Sequence, residues 1–438
     1  MLETLRNAFK VKDIREKLLF TLFMLIVVRA GCQIPVPGVN NSAVAEFIKN
    51  NTGDAFNFFD AMTGGSFMSM SIFALNITPY ITSSIIMQLL TIAIPQLEEL
   101  QKDGEDGRKV ILKITRYLTV GLALIESLAM SIGFGNSGLY ENFTWYAVVL
   151  TVITMTAGSA ILMWIGEQIT QYGVGNGISI VLLINIISSL PDDLMTLYER
   201  FIQTQSILMK VVAAAIIIAL IAAMVVFTVV LQEAVRKIPV QYAKKMQGRR
   251  MVGGQSSHIP LKVNTAGVIP VIFASSLMTF PVVIAQFFNV NYNTIGGKIL
   301  YGLSSSHWCD PSAPIYSIGF LVYAILIVLF AYFYTSITFN PIEIANNMKK
   351  QGGFVTGIRP GKPTSDYLTR ILNYIVFIGA VGLLIVCSVP IIVSGIFNIR
   401  NMSFMGTSLI IIVGVVLETL KQIESQMTVR NYKGFLNS

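Results

Sequence analysis

The chain has 438 residues, of which 54% are hydrophobic and only 12% charged, and its mean hydropathy is +0.67. Water-soluble domains carry about 25% charged residues, so this composition excludes an ordinary soluble domain; many helices that are apolar all round do not fit one soluble core. The net charge of +8, from 31 Lys and Arg against 23 Asp and Glu, is informative through its placement along the chain.

A spanning helix needs about 20 mostly apolar residues. Ten such segments follow in chain order: 18–34, 74–94, 112–133, 144–166, 176–190, 209–231, 266–288, 314–337, 371–392 and 404–423. The first is too long, and has no small-residue cleavage site early enough, for a simple signal peptide. With the N-terminus in the cytoplasm, 24 of the 31 Lys and Arg fall on the cytoplasmic side and five on the outer side. The positive-inside rule then places both ends in the cytoplasm. The expected fold is all-α: a polytopic membrane protein of ten transmembrane helices in two inverted five-helix halves, 1–190 and 191–438.

Between the first two spans lies FNFFDAMTGGSFMSM (56–70). It is moderately apolar and too short to cross, and Gly64-Gly65 suits the end or hinge of a helix. It is expected to be a re-entrant half-helix dipping in from outside. Exposed backbone at membrane depth is tolerated only against protein or a water-lined cavity, so a cavity on the outer side is implied. The second span contains no charge but carries Asn76, Thr78, Pro79, Thr82, Ser83, Ser84 and Gln88, for which lipid alone is a poor neighbour. Its Ile77-x-Pro79-x-Ile81 and Ser83-Ser84 are echoed in the seventh span by Ile269-Pro270-Val271-Ile272 and Ser275-Ser276, weak support for an inverted repeat.

Ile77 and Ile81 are four apart and share a helix face, as do Ile178 and Leu182 on the fifth span. Ile272 and Ile411 are candidates for the same central ring. For any one of them, packing or lipid contact is the simpler account. Together, a girdle of branched aliphatics can close a path by dewetting and by shape.

Signs of catalysis are thin. The two histidines, His258 and His307, lie far apart, no span carries an Asp or a His, and none of the common hydrolase or phosphate-binding motifs is present. The glycine-rich QYGVGNGIS (171–179) opens a span rather than a βαβ unit, and reads as a tight turn with Asn176 capping the next helix. Cys32, Cys309 and Cys387 have no paired spacing, so no disulfide framework, metal site or cofactor is expected. Glu126 sits mid-span, Arg29 near the outer end of the first span. One buried acid is a thin basis for ion coupling, yet an inverted-repeat secondary transporter of a small solute remains the rival to a channel.

The chain resembles the SecY family, the central subunits of the Sec protein-conducting channel, in its bacterial form. The runs that carry the likeness are IPVPGV (34–39), GGSFMSMSIFALNITPYITSSIIMQLL (64–90), DGEDGRKVILKITRY (103–117), LMWIGEQITQYGVGNGISI (162–180), VQYAKKMQGRRMVGGQSSHIPLKVNTAGVIPVIFASS (240–276), FNPIEIANNMKKQGGFVTGIRPG (339–361) and GTSLIIIV (406–413). The resemblance implies a plug at 56–70, with Phe58, Phe59, Met62, Gly64, Gly65, Phe67 and Met68. It implies a pore ring of Ile77, Ile81, Ile178, Leu182, Ile272 and Ile411; Leu182 stands where other members often have isoleucine. Spans two and seven match the sides of a lateral gate that releases signal sequences and membrane segments into lipid. Gln88, Glu126 and Asn264 are expected to form its polar latch, with Glu126 where many bacterial members have glutamine; a packing role for Glu126 against span four stays open.

Two long cytoplasmic loops, 232–265 and 338–370, are rich in Lys and Arg. Charge alone fits topology and anionic lipid as well as macromolecular docking. The resemblance implies that they serve the ribosome and the SecA ATPase, through Lys244, Lys245, Arg249, Arg250, Lys349, Lys350 and Arg359. It further implies SecE and SecG as membrane partners, unfolded preproteins as cargo, and a place in the bacterial cytoplasmic membrane.

Overall fold

The computed structural model describes residues 9–40, 43–44, 63–136, 138–140, 142–198, 207–242, 245–247, 250–252, 256–286, 294–303, 308, 314–397 and 407–436. It is mostly helical. In chain order come α1 (Lys12–Gly31), α2 (Thr78–Ala93), α3 (Pro95–Lys102), α4 (Glu105–Asn136), α5 (Trp145–Tyr172), α6 (Gly177–Leu197) and α7 (Ile207–Glu233). Strands β1 (Val235–Tyr242), β2 (Lys245–Gln247), β3 (Arg250–Val252) and β4 (Ser256–Lys262) follow. Then come α8 (Ile269–Gln286), α9 (Ile295–Leu303), α10 (Ile318–Thr338), α11 (Pro341–Lys350), β5 (Gly353–Val355), α12 (Lys362–Phe397) and α13 (Thr407–Leu436).

Each of the ten segments expected to span overlaps one of these helices. Among the described residues five helices are long and apolar enough to cross a membrane, or six if the bent pair α2–α3 counts as one. That pair turns through 106° where Pro95, which has no amide hydrogen, opens α3. Helix α7 exposes Val211, Ile216, Ile218, Val226 and Val230, and α10 exposes Leu321, Ile325 and Leu329. Rows of this kind are a liability in water but suited to lipid.

Local chemistry sets the helix starts. Asn176 accepts from the amides of Ile178 (3.2 Å) and Ser179 (3.4 Å) through Oδ1, the expected cap of α6. Asn340 does the same for Ile342 and Glu343 at the head of α11. One start differs from the sequence reading. The second span was expected from 74, but α2 begins at Thr78, because the buried Asn76 is left-handed (φ 51°), a conformation Asn tolerates but a helix does not.

The described residues group into two compact units. The first comprises Met1–Ala214, Ser276–Phe320 and Ile391–Ser438; the second comprises Ala215–Ser275 and Leu321–Pro390. In the first, α4 packs on α2 and α5, and α6 packs on α5 and α13. Its largest described core gathers Val36, Phe67, Met70, Leu75, Phe134 and Met155.

The second unit contains a small sheet that the sequence reading did not anticipate. Strand β1 pairs antiparallel with β4 along Val235–Gln241 and with β5 along Val240–Tyr242. Ile238 and Val240 point inward to Leu261, Met348, Val355 and Leu368. Lys237, Pro239 and Gln241 alternate outward, the two-residue period of a half-buried strand.

Candidate functional site: a constriction and the turn that leads into it

Residues 63–76 comprise the second half of the expected plug (56–70) and the irregular backbone that leads into α2. Phe58, Phe59 and Met62 lie outside the described residues. Gly64 and Gly65 are left-handed (φ 67° and 81°), which matches the expected break. Thr63 Oγ1 accepts from the Phe67 amide at 3.2 Å, and Phe67 is fully buried while Met68 packs against the core of the first unit.

This stretch forms no helix or ladder of its own beyond a short bridge. The Val36 amide donates to Met70 O (2.8 Å) and the Ile72 amide to Ile34 O (2.9 Å). Within it, successive turns bond the amides of Ser69, Met70, Ser71, Ala74 and Asn76 to carbonyls three to five residues back, and at its ends it meets side chains from three spans. Arg29 Nη1 donates to Gly64 O at 3.0 Å, and Ser188 Oγ reaches the same carbonyl at 3.5 Å. Ser159 Oγ donates to Asn76 O, and Asn185 Nδ2 donates to Asn76 Oδ1, each at 3.1 Å. Sequence reasoning flagged Arg29 only as a charge at membrane depth. It missed Ser159, Asn185 and Ser188, whose signal is faint because single polar residues in a span are common.

The six expected ring residues are placed as follows. Ile77, Leu182 and Ile411 are buried, while Ile81 and Ile178 are half-buried, all in the first unit. Ile77 precedes the first turn of α2 and its carbonyl accepts from the Ile81 amide. The Asn76–Asn185 hydrogen bond ties this start to α6, three residues beyond Leu182 on the same face. Ile272 is buried in α8 and belongs to the second unit.

The expected latch residues are also placed. Gln88 on α2 and Glu126 on α4 are half-buried, on helices that pack together. The Oε1 atom of each is buried and has no hydrogen-bond partner among the described residues. Asn264 is buried and donates through Nδ2 to Gly267 O at 2.9 Å, within its own turn. Two hydroxyls of α2, for which lipid alone is a poor neighbour, are satisfied within their own helix. Thr82 donates to Thr78 O and Ser83 to Pro79 O, the cheapest way to satisfy a hydroxyl in a helix.

The two basic loops meet in the sheet of the second unit, since β1 and β4 come from 232–265 and β5 from 338–370. Lys349 and Lys350 are exposed in the last turn of α11, where cations suit the helix dipole. Arg359 is exposed between the left-handed Gly357 and Gly361. Lys245 and Arg250 lie on β2 and β3; Lys244 and Arg249 lie outside the described residues. Cys32 and Cys387 are buried free thiols, and Cys309 lies outside the described residues. Among the described residues no group of His, Cys, Asp or Glu is assembled that could hold a metal ion.

Comparison with known proteins adds a consistent picture. The family model described as SecY matches residues 71–420. The protein translocase subunit SecY of Halalkalibacterium halodurans is 44% identical over 442 residues, with 100% of each chain covered. Those of Streptomyces scabiei and Bacillus subtilis are 44% and 42% identical, again over the whole of both chains. Among solved structures, a protein-conducting channel is similar with a TM-score of 0.62 at 21% identity, covering 95% of this chain and 93% of that one. Sec61 in a canine ribosome-channel complex is similar with a TM-score of 0.58 at 20% identity, with the same coverage. These two likenesses are of fold.

Proposed function

The chain belongs to the SecY family, and from that premise we propose that it is the protein-conducting subunit of a translocase. It is a multi-pass membrane protein. In this reading it passes unfolded secretory proteins across the bacterial cytoplasmic membrane and releases membrane segments sideways into lipid. It does no chemistry on its cargo; ATP hydrolysis by SecA, or translation by a docked ribosome, supplies the energy. SecE and SecG complete the complex, and both termini are cytoplasmic.

The observation that supports the reading is the aliphatic series Ile77, Ile81, Ile178, Leu182 and Ile411, all in one unit, at the head of α2 and on α2, α6 and α13. In this reading the series and Ile272 are the pore ring, and none of these residues is charged. A carrier needs ion or solute ligands at such a level; a ring of branched aliphatics seals by dewetting. In this reading 1–190 and 191–438 are inverted halves, residues 56–70 are the plug, and Gln88, Glu126 and Asn264 are a weak polar latch of the gate. Intramembrane hydrogen bonds are worth about 0.6–2 kcal/mol, little enough for an apolar signal helix to displace. The exposed cations Lys349, Lys350 and Arg359, with Lys244, Lys245, Arg249 and Arg250, form the docking face.

The test is a disulfide crosslink. Ile272→Cys, with the native cysteines replaced, is reconstituted in vesicles with SecE, SecA and ATP. A secretory precursor with one cysteine is stalled midway. ATP-dependent crosslinking at position 272 is expected. Translocation with crosslinking only elsewhere would overturn the ring assignment. No translocation by a folded complex would overturn the channel itself and revive the small-solute carrier.

A further inference from the structure

Residues 63–76 are irregular, buried and strained. Besides its glycines, the stretch holds Met70 (φ 43°) and Asn76 (φ 51°) in the left-handed region, both essentially inaccessible. Such conformations persist only where the surroundings over-determine them. Backbone carbonyls at membrane depth also require donors. At its two ends the stretch is held by side chains from other helices. Arg29 donates to Gly64 O, with Ser188 Oγ, which gives its proton to Asn185 O at 2.7 Å, lying 3.5 Å from the same carbonyl; Ser159 donates to Asn76 O and Asn185 to Asn76 Oδ1. Asn185 and Ser188 are three apart on α6, so a single helix face reaches both ends. Gly64 is part of the device, because a Cβ there would lie 2.7 Å from Arg29 Nη1 and 2.8 Å from Ser188 Oγ.

We propose that Arg29, Ser159 and Asn185 form a polar clamp on 63–76 that sets the height and rotation of Ile77 and Ile81. They are positioning residues for the resting seal. The inference rests on the reading of those isoleucines as the constriction. Its consequence is that the seal depends on α1 and α5 through hydrogen bonds to main-chain oxygens, and on α6 through one to the Asn76 side chain. Loosening any one of them lets the ring's α2 segment shift without changing a ring residue.

The experiment compares wild type with Arg29→Met, Arg29→Lys, Asn185→Ala and Ser159→Ala in the reconstituted complex. Three readouts are taken: resting halide leak, thermal stability, and ATP-dependent translocation of a normal precursor and of one with a defective signal sequence. Loss of one membrane-buried hydrogen bond shifts a closed-to-open balance by about threefold to thirtyfold. Arg29→Met and Asn185→Ala are therefore expected to raise the leak by about that factor and to admit the defective precursor. Arg29→Lys, which keeps a donor, is expected to recover part of the seal. A merely structural role would lower thermal stability and leave the leak of surviving complexes unchanged, which overturns the clamp. Should Arg29→Met fail to assemble, Ser159→Ala decides on the same readouts, since it removes one hydrogen bond to Asn76 O and little volume. If wild type itself translocates nothing, the channel reading fails first and the clamp with it. If it translocates and the variants stay sealed, only the clamp fails.

Discussion

Substituting Gly158 by alanine tests whether α5 lies against the 63–76 turn as closely as the structure places it. An alanine Cβ at 158 would lie 1.8 Å from Ile72 O and 2.8 Å from Ile72 C. The shortfall from an ordinary 3.4 Å contact is about 1.6 Å. The obstacle is main chain, which cannot swing away as a side chain would. Overpacking of a dense core costs about 1–3 kcal/mol, and the rigidity of the obstacle places this site at the upper end. Moving α5 outward also stretches the adjacent hydrogen bond from Ser159 Oγ to Asn76 O, worth about 1 kcal/mol more. The total is about 3–4 kcal/mol. The assay is the thermal aggregation midpoint of the purified complex in detergent. Gly121→Ala serves as reference, since Gly121 lies within α4 and an added Cβ meets nothing within 4 Å. That variant should gain up to about 1 kcal/mol from helix propensity alone. A Gly158→Ala complex melting with or above wild type would refute the close approach and the argument built on it.

Two further outcomes are expected. Asn176→Ala should lose about 1 kcal/mol of stability through the cap of α6, whereas Asn176→Ser should retain most of it; equal loss in both would show that capping is not what the residue supplies. On the proposed docking face, Arg249→Ala and Arg250→Ala together should weaken ribosome binding and flatten its log–log salt dependence by about 1–2. A titration of binding against salt that keeps the wild-type slope would remove these two residues from the contact.

What could be read from the sequence was what depends on near neighbours in the chain. The membrane helices follow from runs of apolar residues, because lipid leaves a backbone no option but to satisfy itself locally. The cap at Asn176 and the break at Gly64-Gly65 follow from the same short range. The start of α2 was misjudged because hydropathy continues through 74–77 while the backbone does not. Asn76 leaves the helical conformation to meet Ser159 and Asn185, which are 83 and 109 residues away along the chain. The sheet was missed although the alternation Ile238, Val240, Tyr242 was present, since one short alternating run among helices is a weak signal.

Membrane residence, helix content and family membership were thus set by composition, local pattern and motif. Tertiary structure alone decided what each polar residue meets. Gln88 and Glu126 each keep a buried oxygen without a partner among the described residues, Asn264 donates its amide within its own turn, and Arg29 donates to a main-chain carbonyl. Whether a polar side chain in a span bonds within its own turn or to a distant segment depends on which backbone the fold brings within 3 Å or so. That distance is a property of the folded path of the chain, and no window of sequence contains it.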